Sequence, residues 1–498
     1  MALTLTDIRS TSLVQKFTCI RQNPGVDPGV LTPEQCQTIS VNREVNLIQL
    51  LFTVTASAPA LPSPPAILTA LMYGAMADKV GRIWVFSFSL IGILLFQLLS
   101  IVLAWGVRSI SVETLSVAGL ALFIGGGIGV AEAMVFTIIS DVTFDRWRTM
   151  SFQIAICSFL LAEVTATVST PSLMSSSPWA PLGLGVILTI GGYVLHRGLP
   201  ETLEVLLTSQ SRDRQQNTLP TLAEFREFLV HLRRNGTPIC LLTPAAALTL
   251  PVAATTASIL SRVAPFRYSL SFAASPTLIA VSAGTAVFAL LILLPPLLIF
   301  YNRRQLPRLR HRRGTDNATT SPSPSRDLDL ARAFALFPII GTLILAAAPT
   351  ARGAIAGVVI LALGAPVPGL ARAELSRLVD PAYRGWFFGL LAVVEQAGFL
   401  IVRLILSGFL DTGLRISAGR GGEQWLGMPL YVAALLFALL ALGLWFAHPK
   451  EQQQPPPPLQ HERREGEPEP EHVELGTLQE RQAEGSGQTA NLIGERVK

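Results

Sequence analysis

The sequence predicts an all-α protein that crosses a membrane many times. Of its 498 residues, 50% are hydrophobic and only 14% are charged, whereas a soluble protein carries about 25% charged residues. The charges are concentrated in short segments between long apolar runs. Because a helix rises about 1.5 Å per residue, a run of about 20 apolar residues matches the roughly 30 Å hydrocarbon core of a bilayer.

Eleven apolar runs are long enough to be spans. The first run contains Pro59, Pro62, Pro64 and Pro65. Each proline removes a backbone donor, so this span is predicted to be kinked. The spans are predicted at residues 47–73, 84–105, 116–139, 152–172, 180–196, 238–260, 274–300, 333–349, 354–372, 386–409 and 427–447.

The distribution of Lys and Arg between the spans predicts which loops are cytoplasmic. One set of loops carries 21 of these residues, including Lys79, Arg82 and Arg372, and the opposite set carries six. Cytoplasmic loops of membrane proteins carry an excess of Lys and Arg. The first set is therefore predicted to be cytoplasmic.

A long connection divides the spans into five before it and six after it. We therefore predict an N-terminal transmembrane bundle at 46–197, a cytoplasmic linker at 198–237 and a C-terminal transmembrane bundle at 238–448. A polar segment, 1–45, precedes the bundles. The Gln-, Pro- and Glu-rich tail, 449–498, is predicted to be a disordered cytoplasmic segment.

The linker contains a predicted amphipathic helix. Residues 219–234 place apolar side chains at helical spacing, which predicts a helix on the inner membrane surface that joins the two bundles. These side chains are Leu222, Phe225, Phe228, Leu229 and Leu232. Within the C-terminal bundle, the basic loop 302–332 is typical of a topology anchor beside anionic lipid.

Composition and motifs exclude several classes of protein. The net charge is +5, but the basic residues flank apolar spans instead of forming one polar face, so no nucleic-acid partner is predicted. The chain lacks the H-E-x-x-H, G-x-S-x-G and P-loop patterns, and its six histidines form no ligand cluster in the spans. We therefore predict no metal, no cofactor and no enzymatic activity.

One loop between spans carries a distinctive pattern of glycines and charges, from Gly74 to Arg82. Gly74 lets two helices approach closely, and Gly81 permits a tight turn or a positive φ. Asp78 can cap the N-terminus of a neighbouring helix, where the free amides and the helix dipole favour a carboxylate. Lys79 and Arg82 are expected to hold the loop at the cytoplasmic face.

This loop resembles the signature of the major facilitator superfamily (MFS), G-x-x-x-D-[K/R]-x-G-R, although the next position, usually basic, is Ile83. The resemblance covers roughly residues 46–448 and is nearest to fungal transporters of the drug-efflux or folate-carrier-like type, which are often found with secondary-metabolite genes. Three other segments resemble the family: Asp141-Val142-Thr143 with Arg146, Arg148, Thr149 and Phe152; Pro200-Glu201-Thr202-Leu203; and Asp380-Pro381 with Arg384-Gly385.

The resemblance implies two pseudo-symmetric helical bundles and secondary active transport of a small molecule by alternating access. It makes the loop residues Gly74, Asp78, Lys79, Gly81 and Arg82 the conformational gate. It also implies a monomer in the lipid bilayer, in the plasma membrane or alternatively in a vacuolar or vesicular membrane.

Members of this family have twelve helices, two of them before the signature loop, whereas one predicted span precedes the loop here. Residues 1–45 contain no apolar run long enough to cross a bilayer. The first of the usual helices is therefore predicted to be missing, either from the protein or through an error in the gene model. Residues 1–45 would then be extracytoplasmic, where Cys19 and Cys36 could form a disulfide.

Few charged residues lie within the predicted spans, among them Glu132, Glu163, Glu395 and Arg403. Glu395 and Arg403 are eight residues apart, so they lie about 12 Å apart on one helix and each is expected to meet another span. A buried carboxylate that is exposed to each side in turn can bind and release a proton. We rank Glu395 first, Glu132 second and Glu163 third, against the alternative of structural hydrogen bonds between helices. The alternative for Arg403 is a side chain that extends to the interface.

These residues leave three hypotheses open. The first is proton-coupled efflux of a small hydrophobic secondary metabolite or drug, although the G-x-x-x-G-P-x-x-G-G pattern of proton antiporters is missing from Ile154–Pro171. The second is import of an organic anion, with Arg403 as its counter-charge. The third is a non-transporting or degenerate relative that lacks the first helix.

The orientation can be tested on two glycosylation sequons, Asn235-Gly236-Thr237 and Asn317-Ala318-Thr319. Both lie in loops predicted to be cytoplasmic, so neither should carry a glycan when the chain is expressed in a eukaryotic cell. Glycosidase treatment followed by electrophoresis measures this directly. A mobility shift that disappears when Asn235 or Asn317 is replaced would overturn the predicted topology.

Overall fold

In a computed structural model of the chain, the described residues are 65–106, 112–177, 179–202, 222–234, 236–268, 275–301, 325–420 and 423–447. Their regular secondary structure is entirely helical. Residues before 65, including Cys19 and Cys36 and the first part of the predicted span 47–73, lie outside the described residues. So do most of the 302–332 loop and the 449–498 tail.

We number the helices in chain order and call 46–197 and 238–448 the first and second halves. The first half contains α1 (Pro65–Val80), α2 (Arg82–Gly106), α3 (Gly127–Val142), α4 (Asp145–Ser176) and α5 (Ala180–His196), and the linker helix is α6 (Leu222–Arg234). The second half contains α7 (Gly236–Tyr268), α8 (Ser275–Phe288), α9 (Ser325–Phe334), α10 (Leu336–Ala347), α11 (Ala351–Ala362), α12 (Pro366–Leu378), α13 (Arg384–Arg420) and α14 (Met428–Phe446). A 3₁₀ segment of 15 residues, Val112–Gly126, precedes α3 and departs from helical geometry at Ile124 and Gly125. Short 3₁₀ helices at Pro381–Tyr383 and Glu423–Gly427 precede α13 and α14, and a π-helical stretch, Ala289–Leu293, follows α8.

Within the described residues, nine helical segments are long and apolar enough to cross a membrane. Each overlaps one of the predicted spans, and α5 is a shorter apolar helix at the predicted position 180–196. The protein is therefore a multi-pass integral membrane protein. The total of eleven spans stays a prediction, because only the end of the span 47–73 is described, as part of α1. The segments are Arg82–Leu103, Ala118–Val142, Trp147–Ala166, Gly236–Ala264, Leu278–Tyr301, Arg326–Ala347, Ala351–Leu378, Pro381–Ser417 and Trp425–Phe446.

Three consecutive glycines lead the chain into α3. Gly125, Gly126 and Gly127 have φ values of 81°, 74° and 67°, in the left-handed region that residues with a Cβ atom rarely adopt. A Cβ atom at Gly125 would lie 2.3 Å from the carbonyl oxygen of Phe88 in α2. The glycine run therefore lets α2 pack closely against the entry to α3.

One span of the second half is longer than the sequence predicts. Helix α11 ends at Ala362, and α12 restarts at Pro366, a position where the missing N–H of proline is tolerated. The apolar segment therefore extends to Leu378, not to residue 372 as predicted. Arg372, which the sequence analysis assigned to a cytoplasmic loop, lies inside the helix and is 1% exposed; that assignment was wrong.

The linker helix α6 covers Leu222–Arg234, and part of its apolar side packs on the second half. Phe228 is buried and stacks on Trp386, with ring centroids 5.5 Å apart, and the Phe225 ring lies 5.8 Å from the same indole. Leu229 is exposed. The aromatic side of α6 is therefore directed at the start of α13, and its placement on the membrane surface stays a prediction.

Helices α1 and α13 cross at three glycines. A Cβ atom at Gly74 would lie 2.6 Å from the carbonyl oxygen of Gly385 and 2.9 Å from the Cα of Gly389. Side chains at this crossing would force the two backbones apart. The family-like glycine at position 74 therefore brings the first half into backbone contact with the second.

Replacing Gly74 with Ala should destabilise the protein by about 1–3 kcal/mol, because the added methyl group meets backbone that cannot rotate away. The free energy of unfolding can be followed by circular dichroism during detergent-induced denaturation. Gly408→Ala is the matched control, since a Cβ atom there meets nothing within 4 Å. Equal effects of the two substitutions would contradict the proposed crossing.

Candidate functional site

The carboxylate of Asp78 caps the N-terminus of a helix in the other half of the chain. Its Oδ1 accepts a hydrogen bond from the amide of Gly385 and its Oδ2 accepts one from the amide of Trp386, both at 3.0 Å. These amides are in the first turn of α13, where helical partners are lacking. The capping that the sequence suggested for Asp78 is thus made across the two halves. We call the end of the bundle that carries Gly74–Arg82 the signature end.

Arg82 joins the same network from the start of α2. Its guanidinium forms an ion pair with Asp141 near the end of α3 and lies 3.4 Å from Asp78. Arg384 at the start of α13 donates to Asp141 at 3.2 Å. Arg82 is 1% exposed, so its charge depends on these carboxylates. The network closes the signature end.

Glu201 supports the signature loop from the start of the linker. Its carboxylate accepts hydrogen bonds from the amides of Arg82 at 2.9 Å and Ile83 at 3.2 Å, so it caps α2. Gly81 has a φ of +126°, and a Cβ atom there would lie 2.7 Å from Glu201 Oε2. The Pro200-Glu201-Thr202 segment thus holds the turn that Gly81 permits.

The central polar feature links Glu132 on α3, Arg372 on α12 and Glu395 on α13, and we call it the central triad. Arg372 Nη1 lies 2.9 Å from Glu132 Oε1, and Arg372 Nη2 lies 2.7 Å from Glu395 Oε2. The Arg372 guanidinium also lies 4.3 Å from the centroid of the Phe136 ring. The Glu132 side chain is 22% exposed and that of Glu395 is 6% exposed. The pair Glu132–Arg372 crosses between the halves.

The central triad lies well inside the membrane. Glu132 is ten residues before the end of α3 at Val142, and Glu395 is eleven residues after the start of α13 at Arg384. At about 1.5 Å per residue both lie about 15–17 Å from the signature end, close to the middle of a roughly 30 Å core. The two best-ranked sequence candidates therefore meet at one depth.

The other two candidates lie elsewhere. Glu163 on α4 has an exposed side chain. Arg403 lies on α13 about 12 Å along the helix from Glu395 and is half-buried. Among the described residues, no group of His, Cys, Asp and Glu could hold a metal ion.

Two fungal proteins are similar to this chain over most of its length. The MFS efflux pump atnC of Emericella nidulans is 29% identical over 390 residues, which cover 76% of this chain and 71% of that protein. The MFS-type transporter aprT of Aspergillus flavus is 25% identical over 451 residues, which cover 87% and 83%. A crystal structure of the human organic anion transporter MFSD10 (TETRAN) matches with a TM-score of 0.57 at 14% identity, covering 89% of this chain and 99% of that one. No protein-family model matches.

The chain has the major facilitator fold. It resembles fungal MFS efflux pumps. The two halves of a facilitator are repeats related by an axis along the membrane normal, and its substrate and coupling-ion sites lie near the midplane where the repeats meet. In this chain the central triad occupies the corresponding position of the fold, because Glu132 belongs to the first half and Arg372 and Glu395 to the second.

Arg372 was not predicted to be a site residue, because the predicted span ended there. The signal was present in the residues that follow: Ala373 and Leu375 are apolar, and helix-forming residues continue to Leu378. Extending the span by that one segment would have moved Arg372 from the loop set to the intramembrane set. It would then have been the partner that Glu395 was expected to find on another span.

Arg372→Met should destabilise the protein by about 3–5 kcal/mol, because it leaves the carboxylates of the triad without their counter-charge. Adding Glu132→Gln and Glu395→Gln should recover most of the loss, since all the charges are then removed together. The free energy of unfolding in detergent measures both. Arg415→Gln is the control: this arginine is 63% exposed and its loss should matter by less than about 1 kcal/mol. A triple variant as unstable as Arg372→Met would refute the coupling within the triad.

Proposed function

We propose that the protein is a secondary active transporter that moves a small organic molecule across a membrane by alternating access, coupled to protons. The direction is efflux, and the substrate is a hydrophobic fungal secondary metabolite or drug. The observation that carries this proposal is the central triad, a set of buried charges that spans the two halves at mid-membrane. The efflux pumps to which the chain is similar support the direction.

The triad supplies a chemical basis for proton coupling. Two carboxylates flank one guanidinium, so the triad has a net charge of −1 when both are ionised and is neutral after one proton binds. A proton on Glu132 would weaken its ion pair with Arg372, which is the contact of the triad that joins the halves. Proton binding would therefore lower the free energy needed to separate α3 from α12. Glu395, the more buried carboxylate, would keep the Arg372 charge compensated meanwhile.

Alternating access also requires the signature end to open. Opening separates Asp78 from the amides of Gly385 and Trp386, and Asp141 from Arg384. These bonds join α1 and α3 of one half to α13 of the other. Proton binding at the triad and opening at the signature end thus both act on α13, which carries Glu395. That shared helix is how we propose protonation is transmitted to the gate.

A second candidate function is transport of an organic anion. The observation that favours it is Arg372, whose buried Nε makes no hydrogen bond among the described residues. A substrate carboxylate could approach this donor, so Arg372 replaces Arg403 as the proposed counter-charge. A third, non-transporting function remains the alternative if no flux is found. For the transporter we propose a monomer in the plasma membrane, with a vacuolar or vesicular membrane as the alternative.

Glu395→Gln should abolish uphill transport, because Arg372 would then lack a counter-charge whenever Glu132 binds a proton, while exchange without a gradient should persist. Proteoliposomes with an imposed pH gradient measure both, using Nile red as a hydrophobic probe and fluorescein as an anionic probe. Accumulation should fall to the level of protein-free liposomes in Glu395→Gln and remain near wild type in the control Glu163→Gln, whose side chain is exposed.

The flux measurements with the two probes distinguish between the three candidate functions. Gradient-driven movement of Nile red alone supports efflux of hydrophobic molecules, whereas movement of fluorescein alone favours the organic-anion function. Undiminished uphill transport in both Glu395→Gln and Glu132→Gln would remove the triad as the proton site. Absence of flux for both probes in a folded wild-type protein would argue for the non-transporting function.

A further inference from the structure

The second half carries its own buried polar cluster at the signature end. Asp327 at the start of α9 is 0% exposed. Its Oδ2 accepts a hydrogen bond from the hydroxyl of Thr149 at 2.7 Å and lies 2.8 Å from Nη1 of Arg377, near the end of α12. Thr149, near the start of α4, is 1% exposed and belongs to the first half. The Thr149–Asp327 hydrogen bond therefore joins the halves, as the Asp78 network does.

The positions of these residues correspond to those of the first network. In the first half, an ion pair joins Arg82 at the start of α2 to Asp141 near the end of α3. In the second half, an ion pair joins Asp327 at the start of α9 to Arg377 near the end of α12. The two halves of a facilitator are repeats, so the two pairs occupy related positions. Their polarity is reversed, because the acidic and basic partners have exchanged places.

The contacts across the halves correspond in the same way. Arg384, at the start of α13, reaches Asp141 of the first half. Thr149, near the start of α4, reaches Asp327 of the second half. In each case the first turns of a long helix in one half bond the carboxylate of an ion pair in the other half.

We propose that Thr149, Asp327 and Arg377 form a second latch that holds the signature end closed, and that Thr149 must leave Asp327 before that end can open. This inference rests on the proposed alternating access. When Thr149 withdraws, Asp327 keeps its ion pair with Arg377, so no buried charge loses its counter-charge. The second latch can therefore open without exposing an isolated charge, whereas the first separates Arg384 from Asp141.

The two latches consequently differ in the hydrogen-bond donors that join the halves. The first network includes two amide hydrogen bonds to Asp78 that no side-chain substitution at the donor can remove. Among the described residues, the Thr149 hydroxyl of the second latch donates to Asp327 and accepts a longer bond, at 3.5 Å, from Nη2 of Arg377. Replacing the Thr149 hydroxyl thus removes both of these contacts between the halves and leaves the Asp327–Arg377 pair in place.

The test is the distance between the halves in Thr149→Val, an isosteric change that removes the donor. In the full chain with its native cysteines replaced, spin labels at Phe144→Cys and Ala382→Cys report the separation at the signature end, since both sites are exposed. The ratio of open to closed populations should rise roughly tenfold, the shift expected for loss of one hydrogen bond to a charged group. Thr149→Ser, which keeps the hydroxyl, should match the parent.

An unchanged distance distribution in Thr149→Val, or an equal shift in Thr149→Ser, would overturn the second latch. The distances are measured without substrate, so they stand apart from the flux assay. Flux by the parent with unchanged distances in Thr149→Val would reject the latch and leave the transporter. A shift in Thr149→Val with no flux in the parent would reject the transporter and leave the latch.

Discussion

Arg372 carries a permanent positive charge on a side chain that is 1% exposed within a transmembrane segment. A charged residue at the centre of a membrane helix raises the free energy of insertion by about 2.5–3.5 kcal/mol, and Glu132 and Glu395 would each be unfavourable there without a partner. Because the three residues lie on α12, α3 and α13, their mutual compensation fixes how those helices are placed. The packing of Phe136 on the guanidinium adds an apolar wall to the same site.

Among the described residues, the contacts between the halves that involve carboxylates form two layers. The central triad lies at mid-membrane, and the contacts of Asp78, Asp141 and Asp327 lie at the signature end. In each layer a carboxylate of one half meets a donor of the other. Helix α13 takes part in both layers, through its first-turn amides and through Glu395. A rigid helix that contacts both layers is a physical means of coupling them, because tilting it moves both ends together.

The helical class, the positions of most spans and the role of Asp78 as a helix cap could be predicted from the sequence, because apolar length and capping chemistry are local properties. The partner of that cap could not, since Gly385 lies some three hundred residues later along the chain. Glu132 and Glu395 could be chosen because charge within an apolar run is visible in a sequence. Their meeting through Arg372 was missed because the predicted span ended at that residue, whereas the helix continues to Leu378. The burial of Thr149 could not be predicted from the sequence beyond its place in a family-like segment. An uncharged hydroxyl is common both on the surface and in the core of a protein, so it does not indicate burial.

Helix α6 touches both halves at the signature end. Glu224 pairs with Lys79 of the first half at 2.8 Å, while Phe228 stacks on Trp386 of the second. If the halves separate there, the helix cannot follow both, so one of these attachments must yield. The salt bridge is at the surface and weak, with the Glu224 side chain 36% exposed, whereas the stacked rings are buried. Helix α6 should therefore move together with α13 while the Glu224–Lys79 salt bridge breaks. The linker helix then belongs mechanically to the second half and does not hold the two halves together.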